Sequence, residues 1–427
     1  MRAALWLLAL FGIAAAVALF AGNNQGTITV FWPPWRVDLS LNLVLLLLFA
    51  AFLLLYAALR GLSALFALPR QARQWRLQQK ERAMYAALLD ASVQLLAGRF
   101  SRARKAAQAA LAQERTLAAL DGRVPQALQV RVMAHLLAAE SAQALQDKPA
   151  RDAHLQHALN ESAERGVLAS PETREGVQLR AARWTLDDRN APAALARLEE
   201  LPQGAQRRTL ALRLRLKAAR QDGRTLEALE TARLLAKHRA FSDAAAKSIV
   251  RGLATELIGG AHDPAQLLRA WGNFEIVERE MPEVAIQAAQ RMVALRGDLA
   301  IARAWLLPVW ERMIDQPRSL AEPLRVRLVR ALEAGLDSVD AEWLARIESA
   351  QRNDPRDPNL QYLAGMVCMK RQLWGKAQQL LTQAGLGLQD ANLHRRAWLA
   401  LAQLAEARDD VDQASAAWKR AAQTEGP

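Results

Sequence analysis

The sequence predicts an all-α protein in which a transmembrane hairpin of two helices precedes an α-solenoid of antiparallel helix pairs. Two apolar runs, each long enough to cross a bilayer, lie within residues 1–60. The remainder is rich in Ala, Leu, Arg, Gln and Glu, which are good helix formers. Turn signals such as Asp222-Gly223 and Gly259-Gly260 separate segments of helix length. Short connections of this kind favour antiparallel neighbours.

The composition excludes several kinds of site and shows where the charge lies. One cysteine, Cys368, excludes a disulfide framework, a four-cysteine zinc site and an Fe–S cluster held by this chain alone. The formal net charge is +13, and residues 1–82, with eight basic and two acidic residues, carry +6 of it. Basic residues concentrated beside apolar runs favour a membrane surface over nucleic acid as the partner.

The first apolar run covers residues 3–21 and the second covers residues 41–59. At about 1.5 Å per residue, each reaches the roughly 30 Å of a hydrocarbon core. Ala16-Val17-Ala18 would suit a signal-peptidase site, which leaves a cleaved signal peptide as an alternative for the first run. A second run so soon afterwards favours a retained hairpin over residues 1–68, with a link over 22–40.

The basic residues predict the orientation of this hairpin. Short flanks rich in Lys and Arg stay on the cytoplasmic side of the bacterial inner membrane. Both termini are therefore predicted to be cytoplasmic, with the link in the periplasm. Residues 69–82 would form a basic juxtamembrane segment on anionic headgroups, or else a solvated helix. The candidate membrane-surface residues are Arg60, Arg70, Arg73, Arg76, Lys80 and Arg82.

The link contains a short strand-like run, Thr27 to Trp32, that Pro33 and Pro34 should end. Aromatic rings of Trp settle at membrane interfaces. The sequence FWPPW is therefore interpreted as an interfacial turn that anchors the hairpin, with contact to a partner's span as an alternative.

The clearest repeat lies at about residues 358–390. There Gly365 precedes Ala377 by twelve residues, and Trp374 and Leu381 flank that alanine. This spacing is typical of a tetratricopeptide repeat, in which small residues let helix A approach helix B closely. A second copy at about 395–425 places Ala402 twelve residues before Ala414. Residues 83–427 are therefore predicted to form a cytoplasmic tetratricopeptide-like domain that binds proteins.

The whole arrangement resembles the HemY family of bacterial inner-membrane proteins. The resemblance rests on the link PPWRVDLSLN, the second span with its basic flank, and the C-terminal string DPNLQYLAGMVCMKRQLWGKAQQLL. It implies a role in tetrapyrrole metabolism, late in haem biosynthesis, of an organising kind. It does not extend to the flavin-dependent protoporphyrinogen oxidase that shares the name, since no nucleotide-binding glycine motif follows a strand.

Given this resemblance, a few residues are candidates for ligand chemistry, and the link FWPPW is an alternative contact for a periplasmic porphyrin. His154 and His157 share a helix face and could ligate haem iron, with ordinary packing as the alternative. Cys368 could supply a haem thiolate, although a buried thiol that only packs is the simpler interpretation.

Other residues are candidates for contact with a partner. The concave groove is predicted to carry Tyr362, Met366 and Met369, for which the alternative is a place in the core. Arg395 and Arg396 could receive carboxylates, or could simply begin an exposed helix.

The leading functional hypothesis is a membrane-anchored scaffold, not an enzyme, that organises haem-biosynthesis enzymes. No metal site, nucleic-acid partner or catalytic set is predicted. The alternatives are a protein that itself binds or converts haem or porphyrin, and an adaptor in cell-envelope assembly.

Overall fold

The computed structural model describes residues 2–22, 25–120, 126–163, 170–317, 319–336 and 340–423. The predicted all-α class is confirmed, and within those ranges the exception is one β-hairpin. The chain divides into two compact units, residues 1–174 and 175–427.

The first unit begins with a helix, a hairpin and a very long helix. Helix α1 covers Arg2–Gly22, and the antiparallel strands β1 and β2 cover Thr27–Trp32 and Trp35–Ser40. The predicted strand Thr27 to Trp32 is therefore confirmed. Its partner was not predicted, because WRVDLS alternates too briefly to be recognised without the strand against which it pairs.

Helix α2 extends over 56 residues, from Leu41 to Leu96. The Ser40 side chain caps it by accepting a hydrogen bond from the backbone N–H of Leu43 at 3.3 Å. Its first part, Leu41–Ser63, is long and apolar enough to cross a membrane, and it is the one segment of the described chain that meets this test. The basic segment at 69–82 lies further along the same helix.

The rest of the first unit packs against the C-terminal part of α2. Met84 is fully buried against Leu117 and Val130, and Ala91 is fully buried against two other alanines. The helices that follow are α3 Phe100–Ala119, α4 Ala127–Ala144 and α5 Lys148–Ala163.

The second unit is a succession of helices joined by short turns. The unit boundary lies within α6, which covers Pro171–Asp187. The others are α7 Ala191–Glu199, α8 Gln203–Gln206, α9 Thr209–Gln221, α10 Thr225–Lys237, α11 Asp243–Gly259, α12 Pro264–Gly272, α13 Ile276–Arg279, α14 Pro282–Ala294, α15 Leu299–Asp315, α16 Glu322–Glu333, α17 Ala341–Asn353, α18 Pro358–Lys370, α19 Trp374–Gly387, α20 Ala391–Glu406 and α21 Val411–Gln423.

The small residues of the clearest repeat lie where two helices meet, as their spacing predicts. A Cβ atom added to Gly365 of α18 would lie 2.7 Å from Cγ of Leu381 in α19. Ala377 is fully buried on the facing side of α19. In the next pair, Ala402 of α20 and Ala414 of α21 are both buried. The helix pairs therefore approach closely because no side chain separates their backbones.

Replacing Gly365 with alanine should destabilise the α18–α19 pair by about 1–3 kcal/mol, since the new methyl group overpacks a contact that includes the Leu381 backbone. The matched control is Gly375→Ala in α19, where an added Cβ meets nothing within 4 Å. That control should be neutral or stabilising, because alanine favours a helix over glycine. Thermal unfolding of the full chain in detergent measures both. Equal midpoints for the two variants would contradict the close approach.

Candidate functional site

The predicted membrane-surface residues lie along α2. Arg60 donates a hydrogen bond to the Tyr56 hydroxyl at 3.1 Å. Lys80 is partly buried, and the side chain of Arg70 lies outside the described residues. Exposed guanidinium groups along residues 60–82 are accessible to lipid headgroups. Contact between these residues and a membrane surface stays a prediction. The exposed members of the set are Arg60, Arg73, Arg76 and Arg82.

A cluster of three histidines lies between α4 and α5. His154 and His157 share a face of α5, as predicted, and the fold adds His135 from α4. The Nδ1 atoms of His135 and His154 are 3.0 Å apart, so one imidazole donates a hydrogen bond to the other. The His157 ring stacks on His135 with 5.0 Å between the ring centroids. Sequence reasoning missed His135 because it lies 19 residues before His154, on a different helix.

Two carboxylates and an arginine adjoin this cluster. Nε2 of His135 lies 4.0 Å from a carboxylate oxygen of Glu161. The guanidinium of Arg131 bridges Glu114 and Glu161, at 2.9 Å and 3.3 Å. Arg131 pairs with both carboxylates at shorter distances than the imidazole of His135 does. The carboxylates therefore interact mainly with Arg131 and less with the histidines.

The pKa values of His135 and His154 are lowered, so both favour the neutral form near pH 7. Burial, together with the nearby His154, His157, Arg115 and Arg131, lowers the pKa of His135 to about 4. Burial also lowers the pKa of His154, with His157 and Arg104 contributing. Among the described residues, no three His, Cys, Asp or Glu side chains are arranged to hold a metal ion.

The cluster should make folding sensitive to acid. Between pH 6.5 and about 4, the unfolded chain binds more protons than the folded chain, because its histidines titrate near their ordinary value of 6.5. Stability is therefore lost as the pH falls through that window, by at most about 1.4 kcal/mol per pH unit from His135. Between pH 7 and pH 5, the thermal midpoint of His135→Asn should fall less than the thermal midpoint of the wild type. The exposed His262 provides the control His262→Asn, which should keep the full acid dependence.

In the second unit, the fold contradicts part of the predicted groove. Tyr362 is fully buried, so it belongs to the core and does not line a surface. Burial and the nearby Glu333 carboxylate raise the pKa of its hydroxyl. Met366 and Met369 are partly buried and pack against the same core. The physical reason is that this face of α18 is covered by neighbouring helices on more than one side.

Cys368 is also buried in that core. Burial raises the pKa of its thiol, with Glu348 adding to the rise, although Lys376 and Arg371 oppose it. A protonated thiol is a poor ligand for haem iron. The side chain therefore acts here as a small apolar group, as the simpler interpretation of the sequence held.

The structure gives Arg395 and Arg396 different surroundings. Both are exposed residues of α20, but Arg396 forms an ion pair at 3.0 Å with the buried Glu333 of α16. Burial raises the pKa of Glu333, and Arg396 opposes that rise. Arg396 therefore stabilises the packing of α16 and α20 instead of being reserved for a partner.

Removing the Arg396 guanidinium should destabilise the second unit by about 1–3 kcal/mol, because it leaves the Glu333 charge buried without its partner. Arg395→Ala should change stability by no more than about 0.5 kcal/mol, as exposed positions usually do. Thermal unfolding of Arg396→Ala and Arg395→Ala, measured side by side in detergent, compares the two. A midpoint for Arg396→Ala equal to the wild type would show that the ion pair contributes nothing.

A surface cavity of about 520 Å³ lies among α19, α20 and α21. Its floor includes Trp398, whose ring carries the Arg420 guanidinium 4.5 Å from its centroid. Arg408 lines the rim and donates a hydrogen bond to Gln378 at 2.6 Å. Sequence reasoning used Trp398 only as a packing residue, and the two arginines gave no signal because Arg408 lies in the turn after α20 and Arg420 lies on α21.

Residues 26–146 match the family model described as HemY protein N-terminus. Over this N-terminal region the chain is therefore similar to the HemY family. The match begins at Gly26, just before the β-hairpin, and continues through α2, α3 and α4. With the candidate span in α2, it indicates a membrane-associated helical-repeat protein.

Other comparisons are distant. No curated protein matches the sequence. Among solved structures, a chain from "Structure of Naa15/Naa10 bound to HypK-THB" is similar with 14% sequence identity and a TM-score of 0.26. The similarity covers 77% of this chain and 56% of that one, so the chain matches little more than half the length of that relative.

Proposed function

We propose that this protein is a membrane-anchored tetratricopeptide-like scaffold that gathers enzymes of haem biosynthesis at the bacterial inner membrane. The observation that carries the anchored scaffold is the unbroken helix α2. Its apolar start, Leu41–Ser63, suits a bilayer, while Met84 and Ala91 near its other end are buried against α3 and α4. Anchor and repeat helices therefore share one rigid element.

The two-span form of the anchor is supported by the geometry of the link. The backbone N–H of Leu41 donates to the carbonyl of Gly26 at 2.8 Å, which joins the two ends of the hairpin. Gly22, the last residue of α1, is four residues before Gly26, at most about 14 Å of extended chain. If the last residue of α1 and the first residue of α2 lie on the same side of the bilayer, the N-terminus of α1 and the C-terminal part of α2 both lie on the opposite side. Retention of the basic flank of α2 makes that side the cytoplasm.

Support for protein binding comes from the close helix pairs of the second unit. The Gly365–Leu381 contact follows the logic of a tetratricopeptide repeat, and such arrays bind peptides and proteins on an exposed face. The cavity beside Trp398 adds an aromatic floor and two arginines, Arg408 and Arg420, which suit a partner that carries carboxylates. The haem pathway enters the proposal through the similarity of residues 26–146 to the HemY family.

In vivo photocrosslinking tests the proposal. A crosslinking amino acid replaces Gln413 at the cavity, and, as a control, the exposed Leu386 outside it. Haem-biosynthesis enzymes should be captured from position 413 and not from position 386. Deleting residues 1–63 should move the protein from the membrane fraction to the soluble fraction.

Two other outcomes decide between the alternatives. Capture of envelope-assembly proteins alone would overturn the haem assignment and leave the scaffold. Capture of no protein, with a stoichiometric haem absorbance band that is lost in His154→Ala and His157→Ala, would favour a haem-binding protein instead.

A further inference from the structure

The β-hairpin has two chemically different faces. Side chains alternate along each strand, so residues paired across the strands point to the same face. The register pairs Ile28 with Leu39, Val30 with Val37 and Trp32 with Trp35, which makes one face entirely apolar. The other face consists of Thr27, Thr29, Phe31, Arg36, Asp38 and Ser40.

The polar face satisfies its own charges. The Thr29 hydroxyl donates to the Asp38 carboxylate at 2.6 Å, and Arg36 lies 3.5 Å from the same carboxylate. The Arg36 guanidinium is also 5.4 Å from the centroid of the Phe31 ring, within the range of a cation–π contact. The one aromatic residue of this face is therefore held beneath a charge.

The apolar face is uncovered, and increasingly so toward the tip. Ile28 and Leu39 near the base are partly buried, whereas Val30 and Val37 are 46% and 48% exposed. Trp32 and Trp35 at the tip are 75% and 73% exposed. Two-stranded hairpins are marginally stable in water, so this face needs a covering.

The position of the hairpin identifies the covering. Ser40, the last residue of β2, is also the N-cap of α2, so no linker separates the strand from the candidate span that begins at Leu41. The bond from Leu41 to the carbonyl of Gly26 fastens the base of the other strand to the same point. Six residues per strand span about 20 Å, so the tip of the hairpin lies within about 20 Å of the start of the candidate span.

We propose that the hairpin lies on the bilayer with its apolar face in the boundary between headgroups and acyl chains, as an amphipathic β-element. This inference rests on the membrane anchor of the proposed function. Tryptophan rings favour that boundary, and an amphipathic element lies there with its charged face toward water. Trp32 and Trp35 at the tip then hold the far end of the hairpin down, while α2 holds its base. The link therefore lies on the lipid surface and is not a loop in solution.

Fluorescent labels on the two faces test this inference in the full chain. The buried Cys368 is first replaced by alanine, which leaves single cysteines for labelling. Val30→Cys probes the apolar face, and Phe31→Cys, at the next residue and likewise exposed at 72% against 46%, is the control on the other face. Leu48→Cys reports on the span itself. Each labelled protein is reconstituted in vesicles of phosphatidylethanolamine and phosphatidylglycerol, with or without brominated acyl chains.

Brominated lipid should quench the labels at positions 30 and 48, and aqueous iodide should quench the label at position 31. A label at Val37, the cross-strand partner of Val30, repeats the measurement independently. Quenching by lipid at position 48 with equal behaviour at 30 and 31 would overturn the inference and leave the anchor intact. No lipid quenching at 48 would instead contradict the anchor. Disulfide crosslinking between two copies at position 30, without lipid quenching, would show that a second chain covers the face and would also overturn the inference.

Discussion

The backbone of α2 passes through three environments without a break. Its first 23 residues, Leu41–Ser63, present apolar side chains outward, the next stretch is basic, and Met84 and Ala91 are buried among protein helices. A helix can do this because its interior N–H and C=O groups bond within the helix, whatever surrounds it. A loop at the membrane surface would let the bundle turn freely, whereas a continuous helix transmits the tilt of the span to α3 and α4. Under the proposed anchor, the geometry of the first unit relative to a bilayer follows from this one element.

In the second unit, small residues at helix contacts and ion pairs between helices hold the helices together. Small residues such as Gly365 and Gly385 bring helices together, and a Cβ on Gly385 would lie 3.2 Å from the Trp398 ring. Ion pairs then link helices that are distant in sequence, as Arg396 links to Glu333 and Arg233 links to Glu278. Desolvation offsets much of the attraction in a buried pair, so such pairs contribute more to the register of packed helices than to net stability.

The histidine cluster and the hairpin show how far sequence reasoning reaches. The spacing of His154 and His157 is local, so the helical period alone places them together. His135 joins them because α4 packs on α5, and no periodic signal connects the two helices. The strand at Thr27 was recognisable, but the apolar face of the hairpin appears only once the register pairs Val30 with Val37 and Trp32 with Trp35. Tyr362 failed as a groove residue because a stripe on one helix does not reveal how many neighbours cover it.

By itself, the sequence determined the helical class, the apolar span at the start of α2, its basic flank, and the close approach expected at Gly365. These are local properties, set by hydrophobic length, charge order and side-chain size. Tertiary structure alone decided that α2 is unbroken, that His135 completes a neutral cluster, that Arg396 pairs with Glu333, and that Trp398, Arg408 and Arg420 surround one cavity. The histidine cluster, the ion pair and the cavity each depend on which helices lie against each other, which the sequence of one helix does not reveal.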